Sequence, residues 1–357
     1  MSYKANPERV LVAMSGGVDS SLAAALLLEQ GYEVIGGFMK NWEGCDWKAD
    51  RRDALKVAAH LGIQLKTFDF EKEYRSRVYE YMMREYRAGR TPNPDVLCNS
   101  EVKFDLLLKA ADELGCVFLA TGHYARVKDG RLLKAVDETK DQSYFLCRLG
   151  RNELRRAIFP IGDLLKTKVR KMASDLGLPT AQKEDSQGLC FVGKVSMPTF
   201  LKEKLKPTPG KIVTTGGEVI GEHEGIQFYT IGQRKGIKVG GGEPWYVVER
   251  RAATNELVVG HEDDPALYAN SLLATDVHWI SGTAPSMPWH GSAQIRYHQG
   301  DQECVVRPGD EPGHIVVMFD CPQRAIAPGQ FVVFYNEDEL IGSAVIDTVI
   351  HSPTLTM

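Results

Sequence analysis

The run Ala13-Met-Ser-Gly-Gly-Val-Asp-Ser20 constrains this chain more than any other stretch. It follows the apolar segment Val10, Leu11 and Val12 and opens an Ala- and Leu-rich segment that ends near Gln30, which predicts strand, tight turn and helix in direct succession. A Gly-rich turn in that position presents successive backbone N–H groups, and the helix N-terminus adds the positive end of its dipole. Such a turn suits anionic oxygens, with phosphate the usual occupant. Gly16 and Gly17 allow close backbone approach, and Ser15, Ser20 and Ser21 add hydroxyl donors. Asp19 belongs in an anion site only as a partner for Mg²⁺ that accompanies the phosphates. The alternative is a plain strand-to-helix turn capped by its serines.

No Gly-Lys-Ser/Thr follows at the spacing of a Walker loop, and the third glycine of the dinucleotide fingerprint is missing. In its strand–turn–helix setting, Ser15-Gly-Gly-Val-Asp-Ser20 resembles the PP-loop of the ATP pyrophosphatases, which split ATP between its α and β phosphates.

Strand and helix patterns continue to alternate: a strand at Glu33–Phe38, a helix at Asp50–Leu61, a strand at Gln64–Asp69, helices at Glu71–Ala88 and Glu101–Leu114, and a strand at Val117–Ala120. That order predicts an α/β fold with a doubly wound parallel sheet, whose ligands sit at the carboxyl ends of the strands. The Ser-Gly-Gly turn, Met39 and Thr121-Gly122-His123 all fall on that edge. Helical texture persists through Leu164–Leu176 and Met197–Leu205, and stops at Lys206-Pro-Thr-Pro-Gly210. Beyond it Gly-rich turns appear. The short strands Gln294–Tyr297, Glu303–Arg307, His314–Phe319, Phe331–Tyr335 and Ile341–Val349 then predict a small closed β-barrel. The expected division is a catalytic domain over residues 1–205, a small linker domain over 206–269 and a barrel over 270–357.

With 357 residues, two or three domains are expected. No apolar run approaches the roughly 18 residues of a membrane span, and Met1–Arg9 reads as no signal peptide. Seven scattered cysteines without a Cys-x-x-Cys pair argue against zinc or iron–sulfur chemistry and suit a reducing cytoplasm. The overall charge of −4 conceals a contrast: Lys140–Lys206 holds 14 Lys/Arg against 7 Asp/Glu, whereas Asn270–Met357 holds 3 against 10. On charge alone the basic stretch reads as a solvated helical face, with a phosphate backbone as the alternative.

Cys98 lies in the Pro-broken Thr91-Pro-Asn-Pro-Asp-Val-Leu-Cys-Asn99, read as a loop ahead of a helix, where a thiol pKa is lowered. Cys190 lies in the polar Lys183–Val192 segment. Both are expected to be exposed, whereas Cys116, Cys147, Cys304 and Cys321 fall in or beside apolar runs and read as buried packing. A single cysteine is more simply structural. Two loop thiols on the domain of an ATP-splitting turn shift that balance; their spacing does not show that they meet, and if they do, the pair suggests sulfur transfer through a persulfide and a disulfide.

Several motifs occur in one order: Ser15–Ser20, Thr91-Pro-Asn-Pro-Asp95 with Cys98-Asn99, Thr121-Gly-His-Tyr124, Lys140-Asp-Gln-Ser-Tyr-Phe145, Asp185-Ser-Gln-Gly-Leu-Cys-Phe191, Gly232-Gln-Arg-Lys-Gly236 and Pro328-Gly-Gln330. Together they resemble the bacterial tRNA-specific 2-thiouridylase family over nearly the whole chain. The resemblance implies an adenine nucleotide hydrolase-like PP-loop domain. It also implies exchange of the 2-oxygen of a wobble uridine for sulfur in Lys-, Glu- and Gln-type tRNAs, with ATP and Mg²⁺ consumed or required. Ala13, Met14, Ser15, Gly16, Gly17, Val18, Asp19, Ser20, Met39 and Gly122 would bind ATP, with Asp19 on the metal. Asn93, Pro94 and Asp95 would face the target base. His123, Lys140, Asp141, Gln142, Arg296, Tyr297 and Gln330 would touch the tRNA anticodon arm. Cys190 would carry the persulfide received from a cysteine desulfurase or relay protein, and Cys98 would close a disulfide with it. Asp95 suits a proton acceptor. The enzyme is expected to be a cytoplasmic monomer. The rival readings are a PP-loop amidotransferase or ligase, which needs no thiol pair, an iron–sulfur thiolase, and a non-catalytic RNA-binding protein.

Overall fold

The computed structural model describes residues 7–44, 46–185, 197–240 and 242–351. From the N-terminus run β1 (Arg9–Ala13), α1 (Val18–Glu29), β2 (Glu33–Lys40), α2 (Trp47–Leu61) and β3 (Gln64–Asp69). A helix over 71–87 (α3) is π-wound at Arg75–Tyr79. A second over 94–103 (α4) is α-wound at Pro94–Leu97 and π-wound at Cys98–Lys103. There follow α5 (Leu106–Glu113), β4 (Phe118–Thr121), the hairpin β5 (Arg126–Lys128) and β6 (Arg131–Leu133), α6 (Arg151–Arg156), β7 (Ala157–Ile158) and α7 (Lys166–Asp175).

The first sheet runs β3–β2–β1–β4–β7 with every pair parallel. Val10, Leu11 and Val12 are fully buried, as a strand covered on both faces requires. Chain order reverses between β1 and β4, which is where such sheets bind ligands. Ala13 lies opposite both Gly37 and Thr121, so the turn after β1, Met39 and Gly122 leave the sheet at one edge.

The middle of the chain supplies α8 (Met197–Lys204) and the strands β8 (Gly210–Thr214), β9 (Val219–His223), β10 (Tyr246–Arg251) and β11 (Glu256–Gly260), ordered β10–β11–β8–β9. The barrel comprises β12 (Tyr268–Trp279), β13 (Trp289–Gln294), β14 (Gln302–Pro308), β15 (Ile315–Arg324), β16 (Phe331–Asn336) and β17 (Glu339–Ile350). Its strands pair in the ring β12–β15–β14–β13–β16–β17 and back to β12. β6 adds to the outside of β17 through Leu133 opposite Glu339, tying the first sheet's domain to the barrel.

The expected architecture of parallel sheet, small middle unit and closed barrel therefore stands, with local corrections. The barrel has a sixth strand, β12, whose bulged register lets it pair with both β15 and β17 and hides its alternation. The strand expected at Gln294–Tyr297 ends instead at Gln294. The segment around Cys98 is helix, not loop: Pro94 takes the first helical position behind Asn93 as N-cap, with Asp95 in the first turn, so proline starts this helix. Cys98 is consequently buried, at 6% exposure, and not exposed. Cys321 is the reverse case, expected inside and found exposed. Cys190 lies outside the described residues.

Candidate active site

The turn after β1 forms a cradle. Gly16 has a positive φ of 77°, and a β-carbon there would lie 2.3 Å from the Asp50 carbonyl oxygen, so only glycine fits. Gly17 is the N-cap and has no side chain to occupy the first-turn N–H groups of α1, which stay available to an anion. Ser20 Oγ accepts from the Ser15 N–H at 3.2 Å and donates to the Gly17 carbonyl at 3.2 Å, fixing the turn. Gly122 closes the other side: a β-carbon there would lie 2.6 Å from the Ser20 nitrogen.

Charges around the cradle are matched in pairs. Lys166 Nζ donates to both Asp19 oxygens at 2.7 and 2.8 Å and lies 2.8 Å from Asp185 Oδ1. Tyr124 Oη donates to Asp19 at 2.9 Å. Lys183 donates to the Gly16 carbonyl (3.1 Å), Asp50 (2.8 Å) and Asp53 (2.9 Å), which with Lys56 holds the Asp53 carboxyl below its usual range. Asp185 also accepts from Arg170 at 2.5 Å and from Lys140 at 3.4 Å. Lys166, Lys183 and Asp185 thus serve the cradle; the sequence marked Lys166 only as part of a basic stretch, and Lys183 and Asp185 only as neighbours of Cys190. Part of that stretch faces inward.

The second half of the site is α4. Ala13 and Val96 belong to one apolar cluster and Cys98 to another, and Met39 and Leu97 pack against both. Met39 and Leu97 thus join the cluster that holds the end of β1 to the one that holds Cys98. Burial raises the Asp95 carboxyl to about 6, against the opposing pull of Lys103. Lys103 Nζ donates to Asn99 Oδ1 at 2.7 Å and approaches His123 Nε2 at 3.4 Å. An ammonium only donates, so His123 Nε2 accepts and its Nδ1–H faces Thr121 Oγ1 at 2.8 Å. Burial, then Lys103, holds that imidazole neutral, well below its ordinary pKa.

The remaining motif residues divide. Gln142 Oε1 accepts from the Tyr124 N–H at 3.0 Å, and Asp141 accepts from the Ala135 N–H and the Ser143 hydroxyl, each at 2.7 Å. These two side chains brace their own loop. Asp141 and Tyr297 also line a cleft of about 910 Å³ with Arg126 and Lys134, between the β5–β6 hairpin and the barrel. Tyr297 packs on Phe145 with ring centroids 4.3 Å apart, and the Phe145 carbonyl accepts from Asn99 Nδ2 at 3.2 Å. Gln330 Nε2 donates to the Thr91 and Pro92 carbonyls at 2.8 and 3.2 Å, just ahead of Asn93 and Pro94. Arg296 donates to the Arg324 carbonyl at 3.2 Å.

Comparison with known proteins agrees across the chain. Residues 8–194, 198–261 and 269–346 match, in turn, family models for a tRNA methyl transferase HUP domain, a tRNA methyl transferase PRC-barrel domain and an aminomethyltransferase beta-barrel domain. The chain is 48% identical to the tRNA-specific 2-thiouridylase MnmA of Levilactobacillus brevis, with 95% of each chain covered. It is 48% identical to that of Pseudomonas entomophila over 95% of each, and 47% identical to that of Geobacillus thermodenitrificans over 98% of this chain and 97% of the relative. The domain descriptions mention methyl transfer and the relatives thiolation. Identity near one half along the entire length decides between them, and the chain belongs to the tRNA-specific 2-thiouridylase family.

Proposed function

We propose that this protein adenylates the 2-oxygen of a wobble uridine in tRNA with ATP and replaces it with sulfur, releasing AMP and pyrophosphate. The observation that carries this reading is that Met39 and Leu97 pack against both the apolar cluster of Ala13, whose strand feeds the cradle, and that of Cys98 in α4. Residues 13–20, Met39 and Gly122 hold the nucleotide. The open N–H groups at the start of α1 stabilise the phosphate oxygens, which gain charge as the α–β bond breaks. The residues present fit Mg²⁺, because Asp19 and Asp185 already share one cation, the Lys166 ammonium, and Mg²⁺ takes one or two carboxylates plus phosphate oxygens. Bound to Asp19, the ion would offset charge on the pyrophosphate leaving group.

An anticodon loop exposes its bases at little cost, so the target uridine reaches Asn93, Pro94 and Asp95 without melting a helix. Asp95, with a pKa near 6, is ionised at neutral pH and takes the uridine N3 proton as the 2-oxygen attacks the α-phosphate. The terminal sulfur of a Cys190 persulfide then displaces AMP from C2. Cys98 attacks the Cys190 sulfur, breaking the S–S bond, leaving sulfur on the base and forming a disulfide that an external dithiol reduces. His123, Lys140 and the Arg296–Tyr297 pair position the RNA. The sulfur arrives from a persulfide-carrying protein, and the enzyme works as a cytoplasmic monomer. Among the described residues no helix is long and apolar enough to cross a membrane.

Mass spectrometry of nucleosides from unmodified tRNA incubated with the protein, ATP, Mg²⁺, a persulfide-carrying donor protein and a dithiol tests the reaction. The expected result is 2-thiouridine formed with AMP. Cys190→Ser should abolish it while tRNA binding persists, and undiminished thiolation in that variant would refute the scheme.

A further inference from the structure

The barrel region is acidic, with Arg296, Arg307 and Arg324 as its three basic residues among Asn270–Met357. Two of these three stand together: Arg296 Nη1 donates to the Arg324 carbonyl at 3.2 Å, and burial followed by the Arg324 charge pulls the Arg296 pKa down. Neither has a carboxylate within ion-pair distance among the described residues, although ten acids are available in the same region. Arg324 Nε is sealed from solvent without an acceptor, while its Nη atoms remain accessible and likewise have no acceptor among the described residues. An unmatched buried donor is costly, and adjacent like charges add to that cost, so the pair calls for an anion.

The surroundings hold the guanidinium in place. Arg324 Cζ sits 4.6 Å from the Tyr246 ring centroid. The turn of the Gly232-Gln-Arg-Lys-Gly236 motif presses against the same spot. Gly232 has a φ of 81°, and a β-carbon there would lie 2.6 Å from Ala325 Cβ and 3.8 Å from Arg324 Nη1. A side chain at position 232 would crowd that edge. A chain of contacts also links the pair to the thiol site. Arg296 precedes Tyr297, which packs on Phe145, whose carbonyl holds Asn99 beside Cys98. Three residues beyond Ala325, the Pro328 carbonyl accepts from the Thr91 N–H at 2.8 Å.

We propose that Arg324 joins Arg296 to bind a backbone phosphate of the RNA at the junction of the middle sheet and the barrel, with Gly232 keeping the guanidinium edge open. The inference rests on the tRNA reading above and adds a binding residue to it. The test measures the affinity of the full-length protein for an unmodified tRNA transcript over a range of KCl concentrations. Arg324→Gln should reduce the slope of log affinity against log salt by about 1 and weaken binding roughly tenfold at physiological salt. Arg324→Lys should keep the slope, and Arg307→Gln should match the wild type. Thermal unfolding of each variant identifies any loss of fold. A folded Arg324→Gln protein with the wild-type slope would overturn the proposal, including the case in which the pair holds a free anion. A wild-type protein that does not bind the tRNA transcript would remove the tRNA reading and this inference together.

Discussion

The two halves of the site handle charge in opposite ways. Around the cradle after β1, acids and bases are interleaved: Asp19, Asp185, Asp50 and Asp53 are each met by Lys166, Arg170 or Lys183 at about hydrogen-bond distance. In α4 the groups proposed to react are set in apolar surroundings instead, Cys98 in one apolar cluster with Tyr74, Met82 and Val102, and Asp95 with its carboxyl desolvated. The difference follows from the chemistry asked of each. A cradle for a polyphosphate must tolerate the arrival of several negative charges, and a network of pairs can be re-partnered. A base or sulfur nucleophile gains from losing water, because a desolvated carboxylate holds a proton more strongly.

The sharpest break of this comparison is Cys98→Ser. It should stop thiolation altogether, while ATP-dependent adenylation of tRNA, read as pyrophosphate release in the first turnover, continues within about threefold. Loss of both activities in a folded variant would show that the halves do not operate separately. Asp95→Asn comes next, with a rate loss of about 10²–10⁴ for removing a general base. The same change should stabilise the protein. Asp95 titrates near 6 when folded and near 3.8 when unfolded, so the folded state holds the extra proton between those values. Stability is therefore lost as pH rises from about 4 to 6, and the roughly two-unit difference is worth up to about 3 kcal/mol. Denaturant unfolding should find Asp95→Asn more stable than the wild type at pH 8 and equal to it at pH 3.5. In the wild type the thiolation rate should rise with pH through about 6.

Much of the cradle was legible in the sequence because its requirements are local. Gly16, Gly17 and the serines lie within one turn, and the apolar strand before them fixes their place at the sheet edge. α4 was misread because proline was taken as a breaker when it stood at the first helical position, and that moved Cys98 from an exposed loop to a buried helix face. The partners Lys166 and Lys183 were beyond reach for another reason. Each closes a contact over more than 100 residues, and no spacing rule marks which lysine of a basic run turns inward.

Lys166→Gln probes the interleaved half. It removes the cation shared by Asp19 and Asp185 and leaves the cradle more negative, so the KM for ATP should rise about 10–100-fold, while the affinity for tRNA stays unchanged. An unchanged ATP KM at limiting Mg²⁺ would mean that the pairing is only structural.

The smallest expected effect tests how the dry half is held. Gln330 gives both amide hydrogens to the Thr91 and Pro92 carbonyls, and beside it Gly329, at a φ of 93°, lies so close that a β-carbon would come within 2.9 Å of the Thr91 nitrogen. The barrel thus grips the segment that starts α4. Gln330→Ala loses two neutral hydrogen bonds, about 1–2 kcal/mol of stability, and should slow thiolation severalfold without altering the KM for ATP. Gln330→Glu should be worse, because a carboxylate cannot donate to two carbonyl oxygens and repels them. A residue that only touched RNA would behave differently: both variants would unfold like the wild type and would differ from it in tRNA affinity alone.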